Sequence, residues 1–250
     1  MNNGSASIVE LFSSIQGEGV LVGLRQAFLR FHGCNLACEY CDTRSDEPPE
    51  EALLEETPGR QDFLRERNPV PLERVARLLQ LWESALPGIH HSLSITGGEP
   101  LINHRCLQEW LPELRAILPV YLETNGILHH ALSEVIPHLD YISMDIKLPS
   151  SSGCTGLWEE HRRFLKIAAR TTVFVKAVVS AETEDWEILR TAEMIAEVNP
   201  RITCILQPVT RADGTPGIAP IRALEMQEMA GRCLTDVRVI PQTHKFMGQL

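Results

Sequence analysis

The chain has 250 residues and a formal net charge of −10, and 44% of its residues are hydrophobic. A chain of this length can bury a core without disulfide bonds, so we expect one large domain over 1–250 rather than two. The acidic balance argues against non-specific affinity for nucleic acid or anionic membranes. The sequence contains neither an apolar run of the roughly 18 residues that span a membrane nor an N-terminal signal pattern. We therefore expect a cytoplasmic protein with reduced cysteines.

Segments of strand length alternate with segments of helical periodicity from residue 27 onwards. The predicted strands cover 27–31, 92–96, 120–124, 141–146, 172–179, 203–208 and 237–240. The predicted helices cover 72–85, 105–118, 132–137, 157–169, 184–198 and 220–233. This alternation is typical of βαβ units with a parallel sheet. The number of units favours a closed or partly closed α/β barrel over an open sheet.

The residues that follow the predicted strands are the candidates for function, because parallel α/β folds place their sites at the carboxyl ends of the strands. Polar, glycine or proline clusters follow the strands at 32–34, 97–100, 125–126, 147–149 and 207–209. The stretch 44–71 is acidic and rich in proline. It predicts an insertion, partly mobile, that covers or flanks this functional edge.

Three cysteines, Cys34, Cys38 and Cys41, lie within eight residues directly after the first predicted strand. A structural zinc site normally has four protein ligands, and no fourth cysteine or histidine follows at zinc-finger spacing. A packing role fits poorly with a loop that also contains Asn35 and Glu39. Three thiolates can hold a 4Fe–4S cluster and leave one iron open to a substrate or cosubstrate. The other cysteines are isolated, with Cys106, Cys204 and Cys233 in predicted helices or strands and Cys154 in a Ser/Gly loop.

The CxxxCxxC spacing, with the aromatic Tyr40 before the last cysteine, resembles the cluster motif of the radical S-adenosylmethionine (SAM) superfamily. The segment Thr96-Gly97-Gly98-Glu99-Pro100 follows the next predicted strand and is similar to the superfamily's GGEP motif. The resemblance implies a partial (β/α)6 radical-SAM barrel with an insertion-bearing core. It also implies a 4Fe–4S cluster on the three cysteines and SAM as the source of a radical that abstracts hydrogen from an unactivated carbon.

Three further segments narrow the resemblance to one family. They are 11–19 with its Gln16-Gly17-Glu18-Gly19 element, Asp42-Thr43 directly after the cysteines, and 241–245 near the C-terminus. Together they resemble the 7-carboxy-7-deazaguanine synthases, which are radical SAM lyases. This family converts 6-carboxy-5,6,7,8-tetrahydropterin to 7-carboxy-7-deazaguanine by ring contraction with loss of ammonia, in the 7-deazaguanine (queuosine precursor) pathway.

The resemblance implies roles for individual residues. The SAM site would comprise Tyr40, Gly98, Glu99, Asp145, Ile146, Lys147, Gln207, Pro208, Val209 and Thr210. The pterin site would comprise Ile15, Gln16, Gly17, Arg30, Thr96 and the terminal carboxylate on Leu250. Arg30 would pair with the substrate carboxylate through its guanidinium fork. Thr43 would coordinate a Mg²⁺ ion that orients the substrate, because a hard cation suits oxygen ligands. The family also implies a homodimer and a flavodoxin- or ferredoxin-type electron donor.

Alternatives remain for several of these features. Members of the family carry Ser-Pro-Lys where this chain has Asp145-Ile146-Lys147, which also resembles enzymes that install glycyl radicals in partner proteins. A non-enzymatic iron–sulfur or zinc binding module would explain the cysteines but not the GGEP motif. Lys176 interrupts the fifth predicted strand, where it would meet a SAM or substrate carboxylate or form an internal salt bridge. The segment 244–250 is either a disordered tail or part of the active site.

Overall fold

The computed structural model describes residues 4–41 and 47–249. Its strands are β1 (Ser5–Ala6), β2 (Ile8–Ile15), β3 (Arg25–Phe31), β4 (Glu51–Glu55), β5 (Phe63–Arg67), β6 (Val70–Pro71), β7 (Leu93–Gly97), β8 (Val120–Thr124), β9 (Tyr141–Ile146), β10 (Thr172–Val179), β11 (Cys204–Pro208) and β12 (Val237–Val239). Its helices are α1 (Leu72–Ala85), α2 (His104–Arg115), α3 (His129–Val135), α4 (Pro149–Ser152), α5 (Trp158–Ala168), α6 (Asp185–Val198), α7 (Pro220–Gly231) and α8 (Thr243–Met247). The predicted strands and helices are all found, each within three residues of its expected ends.

One large sheet organises the molecule, with its strands in the order β12-β11-β10-β9-β8-β7-β3-β2-β4-β5. Among the described residues, β3 and β7 to β12 run parallel. Helices α1, α2, α3, α5, α6 and α7 connect these seven strands in turn. Within the described ranges the sheet ends at β12 and β5 and does not close on itself. The predicted α/β fold with a partial (β/α)6 barrel is confirmed.

The N-terminal part adds strands that the sequence analysis did not predict. β2 pairs antiparallel with β3, with Ser13 opposite Ala27, and β4 pairs with the other side of β2. β4 and β5 form an antiparallel hairpin. The insertion over 44–71 stays a prediction, but within it residues 51–67 form an unpredicted hairpin that extends the sheet.

The hairpin is held in place because two of its apolar residues are buried in the core. Ala52 and Leu54 are fully buried and alternate with the more exposed Glu51 and Leu53, as expected for a strand with one face on the core. Helix α1 packs nearby, and its Trp82 Nε1 donates a hydrogen bond to the carbonyl of Glu56 (3.1 Å). Because the segment is acidic overall, the sequence analysis did not predict a strand with this short apolar face.

Helix α1 has the bounds that its periodicity predicts. Its residues Val75, Leu78, Leu79 and Trp82 are buried, which matches the i, i+3, i+4, i+7 spacing of a half-buried helix. Burial of each such side chain contributes about 1.5–3 kcal/mol to folding. None of the helices in the described part of the chain is long and apolar enough to cross a membrane.

Candidate active site

A cavity of about 510 Å³ lies at the carboxyl ends of the parallel strands. Most of the side chains that the sequence assigns to the site line this cavity. They are Cys34, Cys38, Cys41, Tyr40, Gly98, Asp145, Lys147, Gln207, Val209 and Thr210 on the predicted SAM side, and Ile15, Gln16, Gly17, Arg30 and Thr96 on the predicted pterin side. Parallel strands end at a common edge, so residues far apart in the sequence meet here.

The loop after β3 carries the three motif cysteines. Cys34 and Cys41 are exposed, and Cys38 is half-buried. The Cys41 N–H donates to the Cys38 carbonyl (3.2 Å), and the Glu39 N–H donates to the Ser152 carbonyl (3.1 Å). Burial raises the pKa of the Cys38 thiol to about 12, so it stays protonated unless a metal displaces the proton. Three thiols facing one cavity suit soft metal ions and iron–sulfur clusters.

The turn after β7 packs directly against the cysteine loop. Gly97 has a φ of +132°, and a Cβ there would lie 2.1 Å from the Phe31 carbonyl oxygen. A Cβ on Gly98 would lie 2.2 Å from the Gly33 carbonyl oxygen. Both positions therefore require glycine. The Gly–Gly pair brings the backbone of this turn to the cavity wall beside the cysteines.

Glu99 lies behind that wall rather than on it. Its carboxylate is fully buried and accepts hydrogen bonds from the N–H groups of Asn125 (2.6 Å) and Leu101 (3.0 Å) and from the Thr124 hydroxyl (2.9 Å). Burial raises the pKa of Glu99 to about 7, and these donors limit the rise. The carboxylate ties the end of β7 to the end of β8. Its expected contact with the SAM amino group stays a prediction.

Two residues of the runs assigned to SAM do not line the cavity, and their SAM contacts stay predictions. Asp145 and Lys147 line the cavity, whereas the Ile146 side chain between them packs in the core. Gln207 lines the cavity, whereas the adjacent Pro208 is buried at the end of β11 and is not among the lining residues. Successive side chains along a strand point to opposite faces, so a contiguous run cannot contribute every side chain to one site.

A network of charges spans the SAM side of the cavity. Lys147 Nζ donates to Asp145 Oδ2 (2.8 Å) and to the Tyr40 hydroxyl (3.2 Å). Lys176 Nζ pairs with Asp145 Oδ1 (3.3 Å) and with the Glu18 carboxylate. Of the two alternatives for Lys176, the structure shows the internal salt bridge.

The protonation states of this network follow from burial and pairing. Burial acts to raise the pKa of Glu18, but the charge and hydrogen bond of Lys176 outweigh it and lower the pKa to about 2. Burial acts to lower the pKa values of Lys147 and Lys176, but the neighbouring carboxylates raise both above their usual value. Burial raises the pKa of Tyr40 to about 12. The network therefore carries balanced charges at pH 7, and a ligand carboxylate would compete for lysines that are already paired.

A buried histidine holds the end of β9. His161 of α5 is 0% exposed. Its Nδ1 donates to the Gly126 carbonyl (3.0 Å), and its Nε2 accepts from the Lys147 N–H (3.1 Å). Burial lowers the pKa of His161 to about 4, so the ring is neutral at pH 7. The sequence analysis did not identify this residue, because a single histidine on an amphipathic helix carries no motif.

The predicted pterin side is organised around Glu123, which lies in the predicted strand 120–124 and was assigned no contact from the sequence. Glu123 Oε1 accepts from Gln16 Nε2 (2.9 Å), and its Oε2 accepts from the Thr96 hydroxyl (2.7 Å). Arg30 Nε donates to Glu10 Oε1 (2.7 Å). A substrate carboxylate at Arg30 would share the guanidinium with Glu10.

The C-terminal segment lies against the same cavity. The Thr243 N–H donates to the Gly17 carbonyl (2.9 Å), and a Cβ on Gly17 would lie 2.3 Å from His244 Nδ1. Gln249 lines the cavity and accepts from the Ser14 hydroxyl (3.3 Å). The alternative of a disordered tail is therefore wrong up to residue 249.

Two predicted contacts, Thr43 and Leu250, lie outside the described residues. Several lining residues were assigned no role from the sequence, namely Phe12, Glu18, Phe28, Asn125, Gln242, His244 and Gln249. Glu18, Asn125 and His244 lie inside segments that the sequence analysis quoted, so they could have been proposed as site residues on that ground. Phe12 also lies in the quoted segment 11–19, whereas Phe28 fits a core position of a predicted strand and carried no such signal.

Comparison with known proteins identifies the family. Residues 28–206 match the model of the radical SAM superfamily. The chain is 60% identical over 250 residues, the full length of both proteins, to the 7-carboxy-7-deazaguanine synthase of Geobacter sulfurreducens. The chain belongs to the 7-carboxy-7-deazaguanine synthase family. A more distant synthase, from Methanothermobacter thermautotrophicus, is 35% identical and is matched over 97% of each chain.

Structural comparison supports the α/β fold described above. The crystal structure of QueE from Escherichia coli superposes with a TM-score of 0.58, covering 95% of this chain and 94% of that one at 19% identity. At this identity the similarity shows the fold alone.

The cofactors that membership of the radical SAM superfamily implies, a 4Fe–4S cluster and SAM, fit the residues present. Asn125 Oδ1 and Gln207 Oε1 are buried in the wall of the cavity and have no hydrogen-bond partner among the described residues. Buried polar atoms are normally paired, so a ligand is expected there. No three His, Cys, Asp or Glu side chains within 4–41 and 47–249 converge to hold one metal ion. Three cysteines can each ligate a separate iron of one cluster and leave the fourth iron open.

Proposed function

We propose that this protein converts 6-carboxy-5,6,7,8-tetrahydropterin to 7-carboxy-7-deazaguanine, with ring contraction and loss of ammonia, in the synthesis of the queuosine precursor. One observation carries the proposal. A single cavity joins the thiols of Cys34, Cys38 and Cys41 to Gln16 and Thr96 at its opposite, pterin side. The full-length 60% identity to a curated synthase supports the same reaction.

The chain's own residues bind and orient the two ligands. Cys34, Cys38 and Cys41 would hold the cluster, which supplies the electron for reductive cleavage of SAM when it is bound. The backbone of Gly98 and the unpaired Gln207 Oε1 would receive the polar groups of SAM. The charged network behind them is already neutralised, so it can hold a zwitterionic ligand without a large change of protonation.

The pterin end combines an aromatic wall with polar groups. Phe12 and Phe28 line the cavity with rings stacked at a centroid distance of 5.1 Å. They offer an apolar surface for a flat heterocycle, because aromatic rings pack well at such offsets. The amide of Gln16 and the carboxylate of Glu123 would contact ring N–H and amino groups, and Arg30 would pair with the substrate carboxylate. Once both ligands fill the cavity, they would exclude water from the radical steps.

Four finer features belong to the same proposal. Thr43 would hold a Mg²⁺ ion that bridges the protein and the substrate carboxylate. The carboxylate of Leu250 would accept hydrogen bonds from the pterin, extending the contact of the C-terminal segment with the cavity. The electron donor would be of the flavodoxin or ferredoxin type. The enzyme would act as a cytoplasmic homodimer.

The deciding experiment is anaerobic reconstitution followed by mass spectrometry of the products from SAM and 6-carboxytetrahydropterin. We expect 5′-deoxyadenosine and 7-carboxy-7-deazaguanine together. Formation of 5′-deoxyadenosine without the deazaguanine would reject the substrate, and formation of neither by cluster-loaded protein would reject the function.

Two variants in the same assay test the finer contacts. Thr43→Ala should lose the stimulation of turnover by Mg²⁺, and an unchanged Mg²⁺ response would place the ion elsewhere. A C-terminal extension should raise the KM for the pterin about 10-fold or more, because a charge-assisted hydrogen bond contributes about 1.5–3 kcal/mol. An N-terminal extension of the same length is the control, and equal KM values for both would remove Leu250 from the site.

A further inference from the structure

A fourth cysteine lies beside the motif cysteines. Cys154 Sγ is 4.0 Å from Cys38 Sγ, although the two residues are 116 positions apart in the sequence. The thiol is half-buried and lies in the turn that follows α4. The motif explains three cysteines, and Cys154 is not part of it. The sequence analysis treated it as an isolated thiol.

The contact is held by the fold rather than by one flexible side chain. The Glu39 N–H, adjacent to Cys38, donates to the carbonyl of Ser152 (3.1 Å). Ser152 is fully buried, and its hydroxyl donates to the Leu148 carbonyl (2.7 Å) and accepts from the Cys154 N–H (3.1 Å). The turn after α4 is therefore hydrogen-bonded both to Leu148, just after β9, and to the cysteine loop.

Metal binding decides the direction of the sulfur–sulfur hydrogen bond. A cysteine that ligates iron is a thiolate and has no proton to donate. In a hydrogen bond between the two sulfurs, Cys154 is therefore the donor and Cys38 Sγ the acceptor. The Ser152 carbonyl, 3.8 Å from Cys154 Sγ, is the competing acceptor. A negatively charged sulfur is the stronger acceptor of the two.

We propose that Cys154 is a positioning residue for the cluster and that its thiol donates a hydrogen bond to the iron ligand Cys38. Hydrogen bonds to cluster sulfurs stabilise the reduced, more negative state and raise the reduction potential. Cys154 leaves the open iron free for SAM, because it contacts a ligand rather than an iron. This inference rests on the cluster of the proposed function but not on the identity of the pterin substrate.

The test is an EPR-monitored redox titration of the reconstituted, full-length protein without SAM or pterin. Cys154→Ala should make reduction of the cluster up to about tenfold less favourable, which is a downward shift of as much as 59 mV for a one-electron couple. Cys154→Ser keeps a donor and should lie nearer to wild type. Cys233→Ala removes another half-buried thiol, one that packs against the core, and should leave the potential unchanged.

Two results overturn the inference. One is a wild-type potential and EPR spectrum for Cys154→Ala with full iron content. The other is loss of iron from both Cys154 variants while their circular dichroism and melting remain those of the wild type, since Cys154 would then be a ligand. Neither result depends on product formation, so a failure here is distinguishable from a failure of the proposed reaction.

Discussion

The protein contains two buried polar networks, and only one of them lines the cavity. The first is the cavity network of Glu18, Lys176, Asp145 and Lys147, on the parallel part of the sheet. It lines a cavity in which neighbouring polar atoms, such as Gln207 Oε1, have no protein partner among the described residues. The surplus of polar groups is what a ligand-binding site requires.

The second is the closed network, on the N-terminal part of the sheet around β2. Ser13 Oγ contacts His90 Nε2 (2.9 Å) and accepts from Arg25 Nε (2.8 Å), while His90 Nδ1 contacts Glu83 Oε1 (2.6 Å). Glu55 Oε2 accepts from the Ser13 N–H (2.8 Å). Ser13, His90 and Glu83 are joined in the order of a hydrolytic triad, but none of the three lines the cavity. These groups satisfy one another, so the network holds β2 to β4 and to the end of α1.

The two networks contain similar groups but differ in whether the polar atoms around them all have a protein partner. Both are buried and both contain charges. Disturbing the cavity network should change ligand binding as well as stability, whereas disturbing the closed network should change stability alone.

The largest effect should come from the cysteines. Cys38→Ala removes an iron ligand, so we expect loss of the cluster and of all SAM cleavage, measured as iron content and 5′-deoxyadenosine. Cys106→Ala, a half-buried helix position outside the cavity, should keep both. A full complement of iron in Cys38→Ala would contradict the assignment of the cluster.

The next largest effect should come from the buried cation of the cavity network. Lys176→Met removes the cation that pairs with Glu18 and Asp145. Removing one partner of a buried ion pair lowers the free energy of unfolding by about 3–5 kcal/mol. The double variant Lys176→Met, Glu18→Gln should recover a large part of this loss. The measurement is the free energy of unfolding in urea at pH 7. A double variant that is no more stable than the single one would show that the pair is not coupled.

His161 should make stability depend on pH. Its pKa is about 4 in the folded protein, below the ordinary histidine value of 6.5, so the unfolded chain binds more protons between these values. The stabilisation is complete above pH 6.5 and is lost as the pH falls through 4, by up to about 3 kcal/mol. His161→Gln keeps one donor and one acceptor but does not titrate. The difference in unfolding free energy between wild type and this variant should therefore change over this window, and a constant difference would refute the assignment.

The smallest effect should come from the closed network. Ser13→Ala removes the hydroxyl partner of His90 Nε2 and of Arg25 Nε, at a cost of about 1–2 kcal/mol in unfolding free energy. KM values for SAM and the pterin should stay unchanged, because Ser13 does not line the cavity. A raised KM at unchanged stability would mean that the two networks are connected.

The sequence by itself determined the features that depend on short-range order. The spacing of Val75, Leu78 and Trp82 predicted α1 because a helix brings such residues to one face within two turns. The three motif cysteines lie within eight residues, so their proximity needed no knowledge of the fold. Alternation of strands and helices predicted the parallel sheet, and with it the edge on which the site lies.

Only the tertiary structure decided which distant residues meet. Glu18 and Lys176 are 158 positions apart, and Cys38 and Cys154 are 116 apart. Their contacts depend on strand order and register, which local patterns do not encode. The same holds for the 51–67 hairpin, whose acidic sequence becomes ordered only because β2 offers it a free edge. A strand's neighbours supply its hydrogen bonds and decide which of its faces is buried, and those neighbours are determined by the whole fold.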